Sequence, residues 1–309
     1  MKIIFISILA ILLLLLSLFS VNAQILVTRN YTIDPFVDST TTQKVLGISA
    51  FHAEFSRGNG STANAHAWNA RIAGLFEVYR FSPNTSFVFT TAHEITADLY
   101  NSLYFNPKGA IWHETFSVFH RRKKLTFEIG VSHRCRHNID NADTDDGDTI
   151  STRNITYRVL ILNAPFVNVF TKPIKIAKNL ELTTSLRGEY FWYSYDSRYP
   201  YIDNSQLWAN MKASLHATLG LNYHFHRYFA AYTKVWGQAM FFKTKETFNT
   251  DFITNNYRIE SGIMLKGEKA NLQVFASYEY FFDDYSRHIP RTSGVMFIGA
   301  RLGGKVFRY

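Results

Sequence analysis

The stretch from Leu125 to Asp140 contains the residues whose types and spacing could do chemistry. His133, Cys135 and His137 recur at every second position. In an extended strand alternate side chains share a face, so an imidazole can reach a thiol two residues away. A histidine that removes the proton from a thiol generates a nucleophile for acyl transfer. The spacing therefore indicates Cys135 as a candidate nucleophile and His133 as its base, with His137 as a helper.

The opposite face of the same strand is charged, with Glu128, Arg134 and Arg136, whereas the histidine face continues back through apolar residues. In a water-soluble sheet the charged face would point outward and the apolar face into a core. In a membrane barrel the apolar face contacts lipid and the charged face lines the lumen. The pattern of the other predicted strands and loops discriminates between a water-soluble sheet and a membrane barrel.

The N-terminus has the organisation of a secretory signal peptide. Lys2 precedes an apolar run from Ile3 to Phe19, and Val21-Asn22-Ala23 resembles a cleavage site. A membrane anchor helix is the alternative interpretation. We expect residues 1–23 to be the signal, 24–43 a polar N-terminal periplasmic arm, and 44–309 a transmembrane barrel.

The remaining sequence alternates between apolar and polar residues over about twelve segments of roughly 10 to 16 residues. Long and short connections alternate along the chain, which is typical of outer-membrane barrels and is not expected of a soluble sandwich. The pattern predicts an all-β fold, a transmembrane antiparallel up-and-down β-barrel of about twelve strands. It predicts strand six over 150–163 and strand seven over 179–195. Residues 164–178 are expected to form a longer turn or a small helix, because Lys172-Pro173 disfavours a central strand.

The last residues carry a resemblance. Phe307, Tyr309 and Gly304 resemble the C-terminal targeting signal of bacterial outer-membrane proteins, although Leu302 stands where that signal usually has a polar residue. The resemblance implies a Gram-negative-type outer membrane, with its lipids and the barrel-assembly machinery as partners. The net charge of +9 is scattered along a secreted chain, which argues against nucleic-acid binding. A single cysteine excludes an internal disulfide framework.

The inward face of such a barrel would carry charges of both signs. Large inward side chains, among them Tyr79, Phe191, Tyr232 and Trp236, would narrow the lumen. One interpretation is a lumen plugged by paired charges, and the other is a narrow, porin-like channel. The predicted charge network comprises Arg71, Glu77, Glu94, Glu128, Arg134, Arg136, Arg158, Glu189, Arg258 and Glu260.

The His133 and Cys135 pair resembles the His-x-Ser motif of outer-membrane phospholipase A and the lipid A deacylases, which implies a lipid acyl hydrolase acting at the outer leaflet. Cysteine replaces serine in this motif, and no third, orienting residue is evident. The predicted register of strand six places Ser151, a further candidate helper, and Arg153 outward, offers no outward carboxylate, and places Asn154 inward. The alternative is that these side chains simply pack near lipid headgroups. A structural or narrow-pore barrel is therefore the leading interpretation, and the hydrolase is the alternative.

An acidic loop follows the same strand, with Asp143, Asp145, Asp146 and Asp148. Carboxylate oxygens are ligands for Ca2+, but the spacing does not fit an EF-hand loop. A solvated acidic loop is the alternative to a Ca2+ site. No other metal and no organic cofactor is indicated by the sequence.

Overall fold

Alternating apolar and polar residues fold into an antiparallel sheet that closes on itself. The computed structural model describes residues 49–59, 66–99, 102, 104–138, 159–197, 208–242, 252–268, 270–282 and 293–305. The strands are β1 (Ser49–Asn59), β2 (Trp68–Ser82), β3 (Thr85–Asp98), β4 (Asn106–Arg121), β5 (Leu125–Asn138), β6 (Val159–Thr171), β7 (Ile174–Ala177), β8 (Leu180–Tyr190), β9 (Tyr193–Asp196), β10 (Met211–Tyr223), β11 (Phe229–Phe242), β12 (Phe252–Lys266), β13 (Ala270–Phe281) and β14 (Ser293–Lys305).

These segments form a closed barrel of twelve strands, as the sequence predicts. β14 pairs with β1, which closes the sheet between the two ends of the chain. β8 and β9 both pair with β6 and together form the seventh barrel strand. β7 is a short extra segment that pairs only with the start of β8.

The distribution of side chains is the reverse of that in a soluble protein. Large apolar residues cover the outside; Ile129 and Ile298, for example, are 62% and 69% exposed. Arginine and glutamate side chains are buried inside the barrel. An apolar exterior around a charged interior is stable only when lipid surrounds the barrel. The described residues contain no helix that is long and apolar enough to cross a membrane.

The structure corrects the prediction for residues 164–178. β6 continues through Ala164 to Thr171, where a turn or small helix was expected. Pro165 is tolerated because the partner strand is interrupted opposite it, between Tyr190 and Tyr193. A proline, which has no backbone N–H, is accepted where the ladder is already broken. The end of strand six therefore lies at Thr171 rather than at the predicted residue 163.

The two ends of the barrel differ. Tight turns join β2 to β3, β4 to β5, β10 to β11 and β12 to β13 at the end where β1 begins and β14 ends. By the rule for outer-membrane barrels, this end is periplasmic and the opposite end faces outward. The predicted signal and arm, the acidic loop (Asp143, Asp145, Asp146, Asp148), Phe307 and Tyr309 lie outside the described residues.

An apolar cluster fills the outer part of the interior. It is built around Trp208, whose ring contacts Phe242 and Phe282 edge-on, with ring centroids 5.9 Å apart in both pairs. Leu160 and Leu162 of β6 belong to the same cluster and are fully buried. The inward face of β6 therefore packs against this cluster and fixes the register in which β6 presents its other face to lipid.

Candidate active site on the lipid-facing surface

The outward face of β5 carries His133, Cys135 and His137, as the strand periodicity requires. His133 is exposed and Cys135 is half-buried. Ser132, which precedes His133, and Arg134, which lies between His133 and Cys135, are buried in the interior. β5 runs from the periplasmic end outward, so His133 and Cys135 lie in its outer half. Both side chains thus face the outer leaflet.

Asn163 is the residue that sequence reasoning missed. Its Oδ1 lies 2.7 Å from His133 Nδ1, and the two residues are register partners on neighbouring strands. The other outward side chains of β6 before Val169 are apolar, and they are Val159, Ile161, Pro165 and Val167. A lone amide on an otherwise apolar lipid-facing strand costs free energy, and here it pairs with the imidazole.

The predicted position of Asn163 depended on the residue at which strand six was expected to end. With strand six ending at residue 163, Asn163 would lie at the periplasmic end, far from His133. The continued alternation through Val167 and Val169 was the available signal, and Pro165 obscured it. Asn154, expected to face inward, and Ser151, a predicted helper, lie outside the described residues.

The hydrogen bond to Asn163 has a chemical consequence. The amide oxygen can only accept, so His133 Nδ1–H must be the donor. In the neutral imidazole the other nitrogen, Nε2, is then the acceptor, which is the tautomer that a general base requires. Asn163 thereby both orients the ring and selects its tautomer.

The remaining outward neighbours complete a polar strip across β4 to β6. Cys135 hydrogen-bonds the backbone of Trp112, its register partner on β4. His137 packs edge-on against the Trp112 ring, with centroids 5.4 Å apart. Glu114 on β4 is the register partner of His133 on the side away from Asn163. A thiol, imidazoles, a carboxylate and an amide therefore share one lipid-facing region.

The interior charges form separate clusters, the first around Glu189. Arg134 Nη1 donates to Glu189 Oε2 over 2.8 Å, and Arg187 Nε donates to Oε1 over 2.8 Å. His216 Nε2 lies 2.9 Å from Oε2. Nearby, Asn168 Nδ2 donates to Glu128 over 3.1 Å. Every one of these side chains is buried, so the charges are held in place by one another rather than by water.

The second cluster links Glu54 and Glu260 through Arg301. Arg301 Nη2 lies 2.7 Å from a Glu54 oxygen, and Nη1 lies 2.6 Å from a Glu260 oxygen. Arg71 bridges Glu54 and Glu94, at 2.6 Å and 2.9 Å. Arg258 joins the same cluster, 2.5 Å from Glu260.

The third cluster lies near the periplasmic end, where Glu77 pairs with Arg80 at 2.6 Å and with Arg121 at 3.6 Å. A register shift between Glu77 and Tyr79 brings Glu77 and Arg80 to the same side. Tyr79, predicted to face inward, is therefore exposed on the outside, whereas Phe191, Tyr232 and Trp236 are buried.

Several interior charges were not among the predicted ones, although the same alternation places all of them inward except Arg80, which the register shift turns inward. Of the predicted network, Arg136 is buried and Arg158 lies outside the described residues. The side chains that sequence reasoning missed are Glu54, Arg80, Arg121, His216 and Arg301. Within the described ranges no group of three or more His, Cys, Asp or Glu side chains is placed to hold a metal ion.

Fold and surface together define an integral outer-membrane β-barrel protein of bacteria. Neither a family model nor a curated protein matches the sequence. Solved barrels resemble the chain at low identity. Outer membrane phospholipase A from Escherichia coli is 12% identical, with a TM-score of 0.44, covering 84% of this chain and 92% of that chain.

Two further solved structures show the breadth of this likeness. An outer membrane channel from Pseudomonas putida F1 is 12% identical, with a TM-score of 0.45, covering 89% of this chain and all of the other. LpxR from Salmonella typhimurium is 7% identical, with a TM-score of 0.43, covering 82% and 99%. At such values these proteins share a barrel architecture with the chain, and the likeness assigns no activity.

Proposed function

We propose that this barrel hydrolyses acyl esters of outer-leaflet lipids with Cys135 as nucleophile, His133 as general base and Asn163 as the orienting residue. The observation that carries the proposal is the 2.7 Å contact between His133 Nδ1 and Asn163 Oδ1 on the lipid-facing surface. A structural role in the bilayer gives no reason for a fixed imidazole tautomer beside a thiol.

The chemistry follows from the three side chains. His133 Nε2 removes the thiol proton as the Cys135 sulfur attacks the ester carbonyl carbon. The imidazolium then protonates the leaving alcohol, a lysolipid, and a thioester remains on Cys135. Water, deprotonated by His133, hydrolyses the thioester, which releases a fatty acid and regenerates the thiol.

The resting arrangement requires one small movement. The Cys135 sulfur hydrogen-bonds the Trp112 backbone, and in the proposed mechanism it leaves this contact to meet His133. Substrate seated against the strip would replace the contact with Trp112.

A second candidate function is a structural barrel or narrow pore with no enzymatic activity. The buried ion pairs around Glu189 and Glu54 favour it, since paired charges occupy the interior of the described barrel. The candidates are separable, because one resides on the outer face and the other in the lumen.

The test is acyl hydrolysis by the refolded, reduced protein in detergent, on phospholipid and on lipid A, with and without Ca2+. We expect Cys135→Ala to lower kcat by a factor on the order of 10³ or more, because the nucleophile is lost. His137→Ala is the matched control, since it removes an imidazole from the same face, two residues beyond Cys135, and should retain most of the activity.

Absence of hydrolysis by the intact, folded barrel would overturn the hydrolase and leave the structural barrel or narrow pore. Conductance measured across a planar bilayer would then test for the pore. Equal loss in Cys135→Ala and His137→Ala would also contradict the assigned roles, because the hydrogen bond to Asn163 belongs to His133 and not to His137.

A further inference from the structure

Glu114 carries a carboxylate on the lipid-facing surface, on the strand next to His133. It is half-buried on the outward face of β4 and is the register partner of His133 on β5. Asn163 of β6 is the register partner of His133 on the opposite side. Side chains directly opposite one another on neighbouring strands have their Cβ atoms about 5 Å apart. Glu114, His133 and Asn163 therefore form one row across three strands, with the imidazole in the middle.

The outward side chains around Glu114 include no lysine or arginine in the described strands. They are Phe89, Thr91 and His93 of β3, Trp112 and Phe116 of β4, and Val131, His133 and Cys135 of β5. The His93 imidazole is engaged elsewhere, with Nε2 2.9 Å from Thr91 Oγ1. A carboxylate that faces lipid is costly unless a positive charge pairs with it. His133 is the side chain directly opposite Glu114 that can become positive.

The proposed hydrolysis creates a positive charge at this place. His133 becomes an imidazolium when Nε2 takes the Cys135 proton, the sulfur bonds to the ester carbon, and the carbonyl electron pair moves to its oxygen. Asn163 accepts the hydrogen bond from Nδ1–H, but its amide carries no net charge. In surroundings of low dielectric, a carboxylate beside the imidazolium has a large stabilising effect.

We propose that Glu114 is a positioning residue that acts through His133, by stabilising the imidazolium that forms in the hydrolase reaction. The inference rests on the proposed hydrolase and supplies the negative charge that the amide of Asn163 lacks. Glu114 also interacts electrostatically with the Cys135 sulfur, which lies diagonal to it on β5. Repulsion between the carboxylate and a free thiolate favours proton transfer that accompanies C–S bond formation, when the negative charge passes to the carbonyl oxygen.

The experiment compares kcat and KM of the refolded, reduced barrel and its variants in detergent, on phospholipid and on lipid A. We expect Glu114→Gln to lower kcat by about ten- to a hundredfold with KM little changed, since the interaction is made only once the imidazole is charged. Glu114→Asp keeps the charge and should retain most of the activity. Thr91→Val is the matched control, because Thr91 is the register partner of Glu114 on the side away from His133.

A second substitution separates an electrostatic role of Glu114 from a packing role. Asn163→Asp in the Glu114→Gln background places a carboxylate on the other side of His133, within reach of Nδ1–H. We expect it to recover most of the kcat that Glu114→Gln loses. Absence of recovery would overturn the inference, since the loss would then come from altered packing on β4.

The remaining outcomes distinguish this inference from the hydrolase itself. An inactive wild-type barrel, shown to be folded by its heat-dependent migration in gels, would overturn both. An active wild type with an equally active Glu114→Gln variant would overturn the role of Glu114 alone. A loss in Glu114→Gln on one lipid but not the other, or only in the presence of Ca2+, would also overturn it, because Glu114 would then contact a headgroup or a cation.

Discussion

The two faces of β5 differ in how tightly their side chains are held. On the inward face, Arg134 is fully buried and donates hydrogen bonds to Glu189 from both Nη1 and Nη2. Outward, the imidazole of His133 hydrogen-bonds the Asn163 amide, and the Cys135 sulfur hydrogen-bonds the Trp112 backbone. Neighbouring residues of one strand thus belong to a closed network on one side and to a loosely held polar strip on the other.

The inward side chains of β5 stabilise the barrel, whereas the outward ones are those that could do chemistry. A buried charge that loses its partner is strongly unfavourable, so the interior face must be satisfied for the barrel to fold. A polar residue that faces lipid does not stabilise the fold, so the presence of His133 and Cys135 on the outward face of β5 favours a role in chemistry. Stability and activity should therefore respond to different substitutions on the same two strands.

The largest expected effect on stability comes from Glu189→Gln. This change leaves Arg134 and Arg187 buried without their carboxylate, and we expect the free energy of unfolding to fall by about 3 to 5 kcal/mol. Guanidinium unfolding of the barrel in phospholipid vesicles, followed by tryptophan fluorescence, measures it.

The control for Glu189→Gln is Cys135→Ala, which changes the outward face of β5 and should alter the free energy of unfolding by about 0.5 kcal/mol or less. A similar stability loss in both variants would show that the outward face of β5 contributes to stability as much as the inward face does.

The asparagines of β6 provide a sharper form of the same comparison. Asn163 faces outward to His133, and Asn168 faces inward to Glu128. We expect Asn163→Ala to lower kcat on the order of 10²-fold with KM and stability little changed, because the imidazole loses its orientation. Hydrolysis kinetics and guanidinium unfolding are measured on the same preparations.

Asn168→Ala should show the opposite behaviour. Glu128 loses a hydrogen-bond donor in the interior, which should lower the free energy of unfolding by about 1 to 3 kcal/mol, with kcat close to wild type. If Asn163→Ala destabilised the barrel as much as Asn168→Ala, Asn163 would be a packing residue.

The sequence predicted the fold because strand periodicity and loop length depend on local composition. The inward charges followed from the same period of two, and the exceptions lie at irregularities. The register shift after Glu77 moved Tyr79 outward and Arg80 inward, and no local signal marks it.

The candidate site was predictable only in part. His133 and Cys135 are neighbours in sequence, so the periodicity of β5 alone places them together. Asn163 is 30 residues away and reaches His133 through the pairing of β5 with β6. That pairing depends on the interruption between β8 and β9 opposite Pro165, which is a tertiary feature.

Two glycines, one on each face of the barrel wall, test the two faces by added volume alone. A Cβ on Gly130 of β5 would lie 2.3 Å from the Phe116 carbonyl oxygen and 2.6 Å from Ser117 Cβ, whereas a Cβ on Gly188 of β8 meets nothing within 4 Å. We expect Gly130→Ala to cost about 1 to 3 kcal/mol, since backbone must move. Gly188→Ala should leave stability unchanged or raise it by about 0.5 kcal/mol, because alanine restricts the unfolded chain. Guanidinium unfolding of the two variants side by side measures both changes in stability. A stability loss in Gly188→Ala equal to that in Gly130→Ala would show that the barrel wall tolerates added volume equally poorly on either face.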